Sequence, residues 1–291
     1  ARAISICEKN DLDGFLVIKA LGEIIIQSHV IGVTGAPGVG KSTLIDCIAH
    51  EFLNNGDSVA VLSIDPNLYK QQGAFLGDRV RMSMSQAHPR FFLRSISSRG
   101  MLGGLNPSFI LILLVLIAAK FSHIIIETVG VGQSENLVKD YVQTTVSVHA
   151  PDQGDDIQYL KGGIISIGDI QVINKADIPG ADRVQSRIRS VFKYQKDDST
   201  EGKCKKIFLT QASNNSGVID LVTQLQAEPI HLDSFAYKTR LNNLLIQEYK
   251  ALHERILISK TIEKVMSNTN WENEFSKFSS VEDFEVLNEA L

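Results

Sequence analysis

The residues best equipped for chemistry stand in one run, Gly35-Ala36-Pro37-Gly38-Val39-Gly40-Lys41-Ser42, which fits the spacing G-x-x-x-x-G-K-[ST]. Glycines let successive backbone N–H groups turn toward phosphate oxygens with no Cβ in the way. Lys41 offers a cation to the outer phosphates, and the Ser42 hydroxyl offers an oxygen ligand to Mg²⁺. A chance match in a chain of this length arises in roughly 1% of cases at ordinary glycine frequency. A Gly-rich turn into a helix has the same local composition. The apolar run Val30–Thr34 before the motif and the helical pattern Thr43–Leu53 after it favour the phosphate reading.

A second group follows about 130 residues later, Asn174-Lys175-Ala176-Asp177, at the end of another apolar run. The carboxylate of Asp177 suits the ring N1–H and the exocyclic amine of guanine, a donor pair that adenine does not present. A site whose polar groups go unpaired with the wrong base rejects it by roughly 10⁴–10⁵. Four residues alone say little; after a P-loop, in strand–helix order, they select guanine. Thr210-Gln211-Ala212 stands after the last apolar run, where Gln211 and Ala212 are placed to offer a backbone N–H to the guanine oxygen. Nucleotide-binding candidates are therefore Gly35, Gly38, Gly40, Lys41, Ser42, Thr43, Asn174, Lys175, Asp177, Gln211 and Ala212.

These residues need a scaffold that gathers strand ends. Val/Ile-rich runs at Val30–Thr34, Val59–Ile64, His123–Glu127, Thr145–Ala150, Ile170–Asn174 and Lys206–Thr210 alternate with helical patterns. Their weak polar alternation predicts strands covered on both faces. The fold class is α/β: a P-loop NTPase with a mostly parallel central sheet flanked by helices, plus helical extensions at both ends. The expected division is 1–28 as an N-terminal helical segment, 29–227 as the GTPase domain, and 228–291 as a C-terminal helical subdomain. In the last, Leu241, Leu244, Leu245, Tyr249, Leu252 and Ile256 recur at helical spacing over Tyr237–Met266. Its face suits packing on its own domain or a contact between subunits. Lys193–Lys205 is polar and reads as an exposed loop.

Composition narrows the function classes. The chain has 291 residues, 44% hydrophobic and 21% charged, with a formal net charge of −4 and no basic block. That argues against a nucleic-acid surface. Phe109–Ala119 is apolar throughout, but eleven residues fall short of the roughly 20 that span a bilayer, so a buried helix is expected and no membrane partner. Cys7, Cys47 and Cys204 are scattered and odd in number, which reads as reduced thiols in a cytoplasmic protein. The seven histidines show no metal-ligand spacing.

The segments between the anchors are more specific: Leu76-Gly77-Asp78, Glu127 to Glu135, and Pro151 to Lys161. With the P-loop they closely resemble the MeaB/ArgK family, the methylmalonyl-CoA mutase-associated GTPases, related to signal-recognition and nickel-chaperone GTPases. The resemblance covers nearly the whole chain. It implies Mg²⁺ at Ser42, approached by acids at Asp65, Asp78 and Glu127, with Glu127 where small GTPases carry the Asp of D-x-x-G. It implies that Gly130 senses the γ-phosphate through its N–H, so that Lys41, Glu127 and Gly130 form the catalytic set. It implies that Gln158 to Lys161 communicate with a cobalamin-dependent acyl-CoA mutase, and that the C-terminal helices form a homodimer. Arg79, Arg81 or Arg99 could stabilise γ-phosphate charge in cis.

The chain departs from the family's pattern at Asp65-Pro66-Asn67-Leu68, at Ser166, in the shortened N-terminal helices, and in the uncharged run Pro107–Ala119. None of these touches the nucleotide core. The function expected is a slow GTPase switch that chaperones the mutase, gating delivery of its cofactor. The alternatives are a transport-linked ATPase or kinase of the lysine/arginine/ornithine type, or a metallochaperone GTPase.

The base motif has a direct consequence. GDP and GTP are expected to bind at least about a hundredfold more tightly than ATP, because an unmatched polar group at the base end is costly. Asp177→Asn is expected to shift preference toward xanthine nucleotides, since the amide donates where the carboxylate accepted. Calorimetric titration with GDP, XDP and ATP checks both; equal affinity for ATP and GTP would sink the guanine reading.

Overall fold

The computed structural model describes residues 1–9, 12–65, 85, 87–97, 108–128, 138–151, 168–194, 206–227 and 234–266. Seven strands carry the fold: β1 (His29–Gly35), β2 (Val59–Asp65), β3 (Phe91–Ser97), β4 (His123–Glu127), β5 (Thr144–His149), β6 (Ile170–Ile173) and β7 (Lys206–Leu209). They form one sheet in the order β3-β2-β4-β1-β5-β6-β7, and every pairing is parallel. Six of the strands begin and end within one residue of the runs expected from sequence.

The seventh, β3, was not expected. It lies at a sheet edge, most of its residues are half-buried, and Arg94 in its middle makes a bidentate pair with Glu8. An edge strand with a polar centre does not show the continuous apolar run of a central one.

The helices are α1 (Arg2–Cys7), α2 (Leu12–Leu21), α3 (Lys41–Asn54), α4 (Phe109–Ala118), α5 (Ala181–Tyr194), α6 (Val218–Ala227) and α7 (Ser234–Met266). Strand alternation divides the core. Ile31, Val33, Val61, Ile125 and Val148 pack with α3 and α6 on one face. Val30, Ala60, Leu62, Ile124 and Ile126 pack with α1, α4 and the start of α7 on the other.

Helix α4 explains the uncharged run. Phe109 to Ile117 are all buried, because the sheet covers one side and the N-terminal helices the other. Gly14 of α2 makes this closeness possible: a Cβ there would stand 2.9 Å from Leu111 Cδ1 and 3.3 Å from Cys7 Cα. Each large aliphatic buried this way contributes about 1.5–3 kcal/mol relative to exposure. The first helices are thus part of the main core. Tyr237 and Arg240 of α7 fix its start, donating to the carbonyls of Tyr141 and Val142 at 2.6 Å each.

The chain forms two compact units, Ala1–Leu245 and Ile246–Leu291. Among the described residues no helix is long and apolar enough to cross a membrane. Helix α5 runs to Tyr194, so Lys193 and Tyr194, expected in a loop, are helical; 195–205 lie outside the described residues.

The lower edge of the sheet carries two histidines. His29 and His123, adjacent on β1 and β4, meet edge-on with ring centres 6.0 Å apart, and His123 stacks on Phe52 at 3.7 Å. Burial, and then the nearby His123, lower the His29 pKa to about 4. Burial also lowers His123, against the pull of Asp57. The unfolded chain, with histidines near their ordinary value, binds these protons more readily. Stability is therefore full above about pH 6.5 and falls as pH drops toward 4. His29 alone is expected to cost up to about 3 kcal/mol across that window. Urea midpoints measured between pH 7 and pH 4.5 should fall, and less steeply in His29→Gln.

Candidate functional site

The loops that follow β1, β6 and β7 meet the end of β4 at the carboxyl edge of the sheet, where open α/β folds bind ligands. The first is the P-loop. Gly35 ends β1 at φ +147°, and a Cβ there would stand 2.2 Å from the Val148 carbonyl oxygen of β5. Gly38 and Gly40 take left-handed φ of +83° and +91°, which β-carbons disfavour. Gly40 caps α3, whose N-terminus carries the positive end of the helix dipole, a ready anion site. The buried Lys41 Nζ donates back to the carbonyls of Gly35 at 2.7 Å and Ala36 at 2.9 Å, so the ammonium lies over its own loop. Ser42 is half-buried and Thr43 exposed on the first turn of α3.

Ser42 faces Glu127. The serine hydroxyl donates to Glu127 Oε1 at 2.6 Å, and Ser63 Oγ donates to Oε2 at 3.4 Å. The sheet register makes this contact: Glu127 stands beside Val33 on β1 and Ser63 on β2. The next residue, Thr128, donates its N–H to Val33 O and its hydroxyl to Thr34 Oγ1, both at 3.1 Å. The strand end that carries Glu127 is thereby stitched to the entrance of the P-loop.

Asn174 links the phosphate end to the far end of the site. It is buried, and its Nδ2 donates to Val39 O of the P-loop at 2.9 Å. Its Oδ1 accepts from Thr210 Oγ1 at 3.2 Å and from the Ala212 N–H at 3.1 Å. A Cβ on Gly40 would stand 2.5 Å from this amide nitrogen, so the glycine also makes room for the bridge. Lys175 follows at φ +56°, which turns the chain so that Asp177 is exposed at the rim.

The loop after β7 is closed by its own bonds. Gln211 exchanges backbone hydrogen bonds with Ser216, and its Oε1 accepts from Asn214 Nδ2 at 2.8 Å. The Gln211 and Ala212 N–H groups, expected to face a guanine oxygen, thus bond to Ser216 and to Asn174 in this structure.

Gly35, Gly40, Lys41, Ser42, Glu127, Asn174 and Ala212 are brought into one connected site. Asp65 ends β2 beside Ser97. Asp78, Arg79, Arg81, Arg99, Gly130, Gln158, Lys161 and Ser166 lie outside the described residues. Sequence reasoning missed Ser63, Thr34 and Thr128. Each is a short hydroxyl residue whose partner is set by strand register or loop closure, and no local pattern signals that.

Comparison with known proteins decides the family. The chain matches, over residues 1–270, the family described as Methylmalonyl Co-A mutase-associated GTPase MeaB. It belongs to the MeaB family. A putative GTPase of Pyrococcus abyssi is 34% identical over 262 residues, covering 89% of this chain and 81% of its own. The GTPase ArgK of Escherichia coli is 39% identical over 147 residues, half of this chain and 44% of its own. A crystal structure of a LAO/AO transport system kinase superposes with a TM-score of 0.55 at 18% identity, covering all of this chain and 92% of that one. The hydrogenase maturation factor HypB of Archaeoglobus fulgidus gives 0.50 at 19% identity, covering 78% and 98%. The two structures share the P-loop NTPase fold. The MeaB-family chain is a GTPase.

Because the Asn174 carboxamide serves three partners in a buried place, its loss orphans each of them. Asn174→Ala is expected to destabilise the protein by about 1–3 kcal/mol, read from urea unfolding without nucleotide. Asp177→Ala, at an exposed position, should stay within about 0.5 kcal/mol. An unchanged midpoint in Asn174→Ala would show that the bridge does not hold the two loops.

Proposed function

We propose that this GTPase is a nucleotide-dependent switch for a cobalamin-dependent acyl-CoA mutase, gating its cofactor delivery. The single observation that carries the nucleotide half is the Asn174 bridge, which ties a loop suited to phosphates to a loop suited to a purine. In this reading Gly35, Gly38, Gly40 and Lys41 cradle the phosphates, and Thr43 stands at the first turn of α3 beside them. Lys175 and Asp177 flank the base with Gln211 and Ala212. Among the described residues, Ser42 and Glu127 suit Mg²⁺: a hydroxyl and a carboxylate already within 2.6 Å of one another are hard oxygen donors of the kind that ion takes. Asp65 and Asp78 are the further acids of the proposal. When bound, the ion would neutralise charge on the outer phosphates.

The mutase half rests on the family's description and on a relative named as a methylmalonic aciduria type A homolog of Caenorhabditis briggsae, 38% identical over 148 residues. A homodimer through the C-terminal helices belongs to the same proposal. It is supported by Ile246, Tyr249, Leu257 and Ile258, which are exposed along α7 in the second unit. The reading as a transport-linked kinase draws on a fold-level likeness alone, and Asp177 speaks for guanine over adenine.

Intrinsic hydrolysis is expected to be slow, with a partner adding about 10³–10⁵ when it orders the site or supplies charge. Lys41→Ala should remove turnover of GTP measured by phosphate release; wild-type turnover in that variant would refute the phosphate assignment. For the partner, affinity for a methylmalonyl-CoA mutase is measured with GDP and with a non-hydrolysable GTP analogue. A difference of roughly 5–150-fold is expected, and identical affinities would mean that the partner is another protein.

A further inference from the structure

Helix α3 starts at the phosphates, yet it also grips the opposite loop. Cys47 and Glu51, four residues apart, lie on one face of this helix. The buried Cys47 thiol donates to the Ala212 carbonyl at 3.1 Å. Burial, helped by the charges of Asp46 and Glu51, pushes that thiol up to about 11, so it keeps the proton it donates. One turn on, Glu51 Oε1 accepts from Asn215 Nδ2 at 2.7 Å. Asn215 sits at φ +62° and ends the short 3-10 turn Ala212–Asn214. Gly217 then reverses the chain at φ +71°, where a Cβ would stand 2.1 Å from the Leu209 carbonyl oxygen. The loop from Thr210 to Gly217 is therefore held from two directions, by Asn174 on one side and by α3 on the other.

We infer that Glu51, through Asn215, and Cys47, through Ala212, are positioning residues for guanine. They make α3 a ruler that fixes the distance between the phosphate end and the base end of the site. Neither residue touches nucleotide in this reading. Helix α3 is rigid over this span, since its turns are hydrogen-bonded from Gly40 onward. The loop that meets the base is thus indexed to the same element whose N-terminus meets the phosphates. The inference rests on the proposed assignment of the Thr210–Ala212 loop to the base.

The test uses the full chain and reciprocal substitution. Asn215→Asp sets two carboxylates against each other. It should weaken GDP binding about tenfold, the scale of one hydrogen bond to a charged group, while ADP affinity and kcat at saturating GTP stay within about twofold. Pairing it with Glu51→Gln restores a donor and an acceptor across the gap with the roles exchanged, and should return GDP affinity to within about twofold of wild type. Calorimetry with GDP and ADP reads both. Equal losses for GDP and ADP, or a double variant no better than Asn215→Asp alone, would overturn the inference in favour of general damage to the fold. If Asn215→Asp does not fold, Glu51→Ala removes the acceptor without adding charge and carries the same expectation. If these variants leave GDP binding intact while Asp177→Asn changes base preference, the ruler falls and the base site stands. If neither acts, the base assignment falls with it.

Discussion

The Asn174 carboxamide donates through one end to the P-loop carbonyl of Val39 and accepts through the other from Thr210 and Ala212. An amide has two donors and one doubly accepting oxygen, so a single side chain satisfies three polar groups and holds together loops far apart in sequence. In a buried place the arrangement is strongly conditional. Satisfied, it fixes the spacing of the loops; broken, it leaves buried polar groups unpaired, at a cost of about 1–3 kcal/mol. Gly40 belongs to the same constraint, since only a residue without a Cβ lets the amide approach the loop from that side.

Everything else works to hold that bridge in register. A parallel sheet sends every strand toward the same edge, so the loops after β1, β6 and β7 and the end of β4 meet without further instruction. The cost is that each central strand is buried on both faces and each crossover needs a covering helix. Helix α4 meets that need in an unusual way: it has no polar face because the N-terminal helices close over it. The stability of the site therefore depends in part on residues before β1, such as Gly14 and Ile4, that pack with α4.

The sheet and the motifs were legible for different reasons. Central strands read from continuous Val/Ile runs, and the P-loop and Asn174–Asp177 read from spacing, because phosphate and guanine chemistry permits few alternatives. Strand β3 was not legible: Arg94 interrupts its pattern, and the ion pair with Glu8 that makes the arginine welcome is a tertiary fact. The same holds for Ser63, which reaches Glu127 only because β2 and β4 pair in one register. Cys47 and Glu51 look like ordinary helix residues until the fold brings the loop after β7 against them. Sequence shows a residue whose chemistry is rare at its position. It does not show a common residue whose importance is its neighbour.

The contact of Ser42 with Glu127 gives the P-loop hydroxyl a structural task of its own. A hydroxyl has one proton and two lone pairs. Ser42 gives its proton to Glu127 and keeps both lone pairs for a cation, so the carboxylate and the serine need not compete. Ser63 occupies the other carboxylate oxygen in the same manner, with its own lone pairs to spare. Glu127 is consequently oriented by donors on a neighbouring strand and a helix before any ligand arrives, and the ordering cost of aiming a flexible glutamate is met within the fold. Thr128, bonded to Thr34 directly before the P-loop, extends this fixed point by one residue. The chain that departs from β4 therefore leaves from a rigid base shared with the phosphate loop.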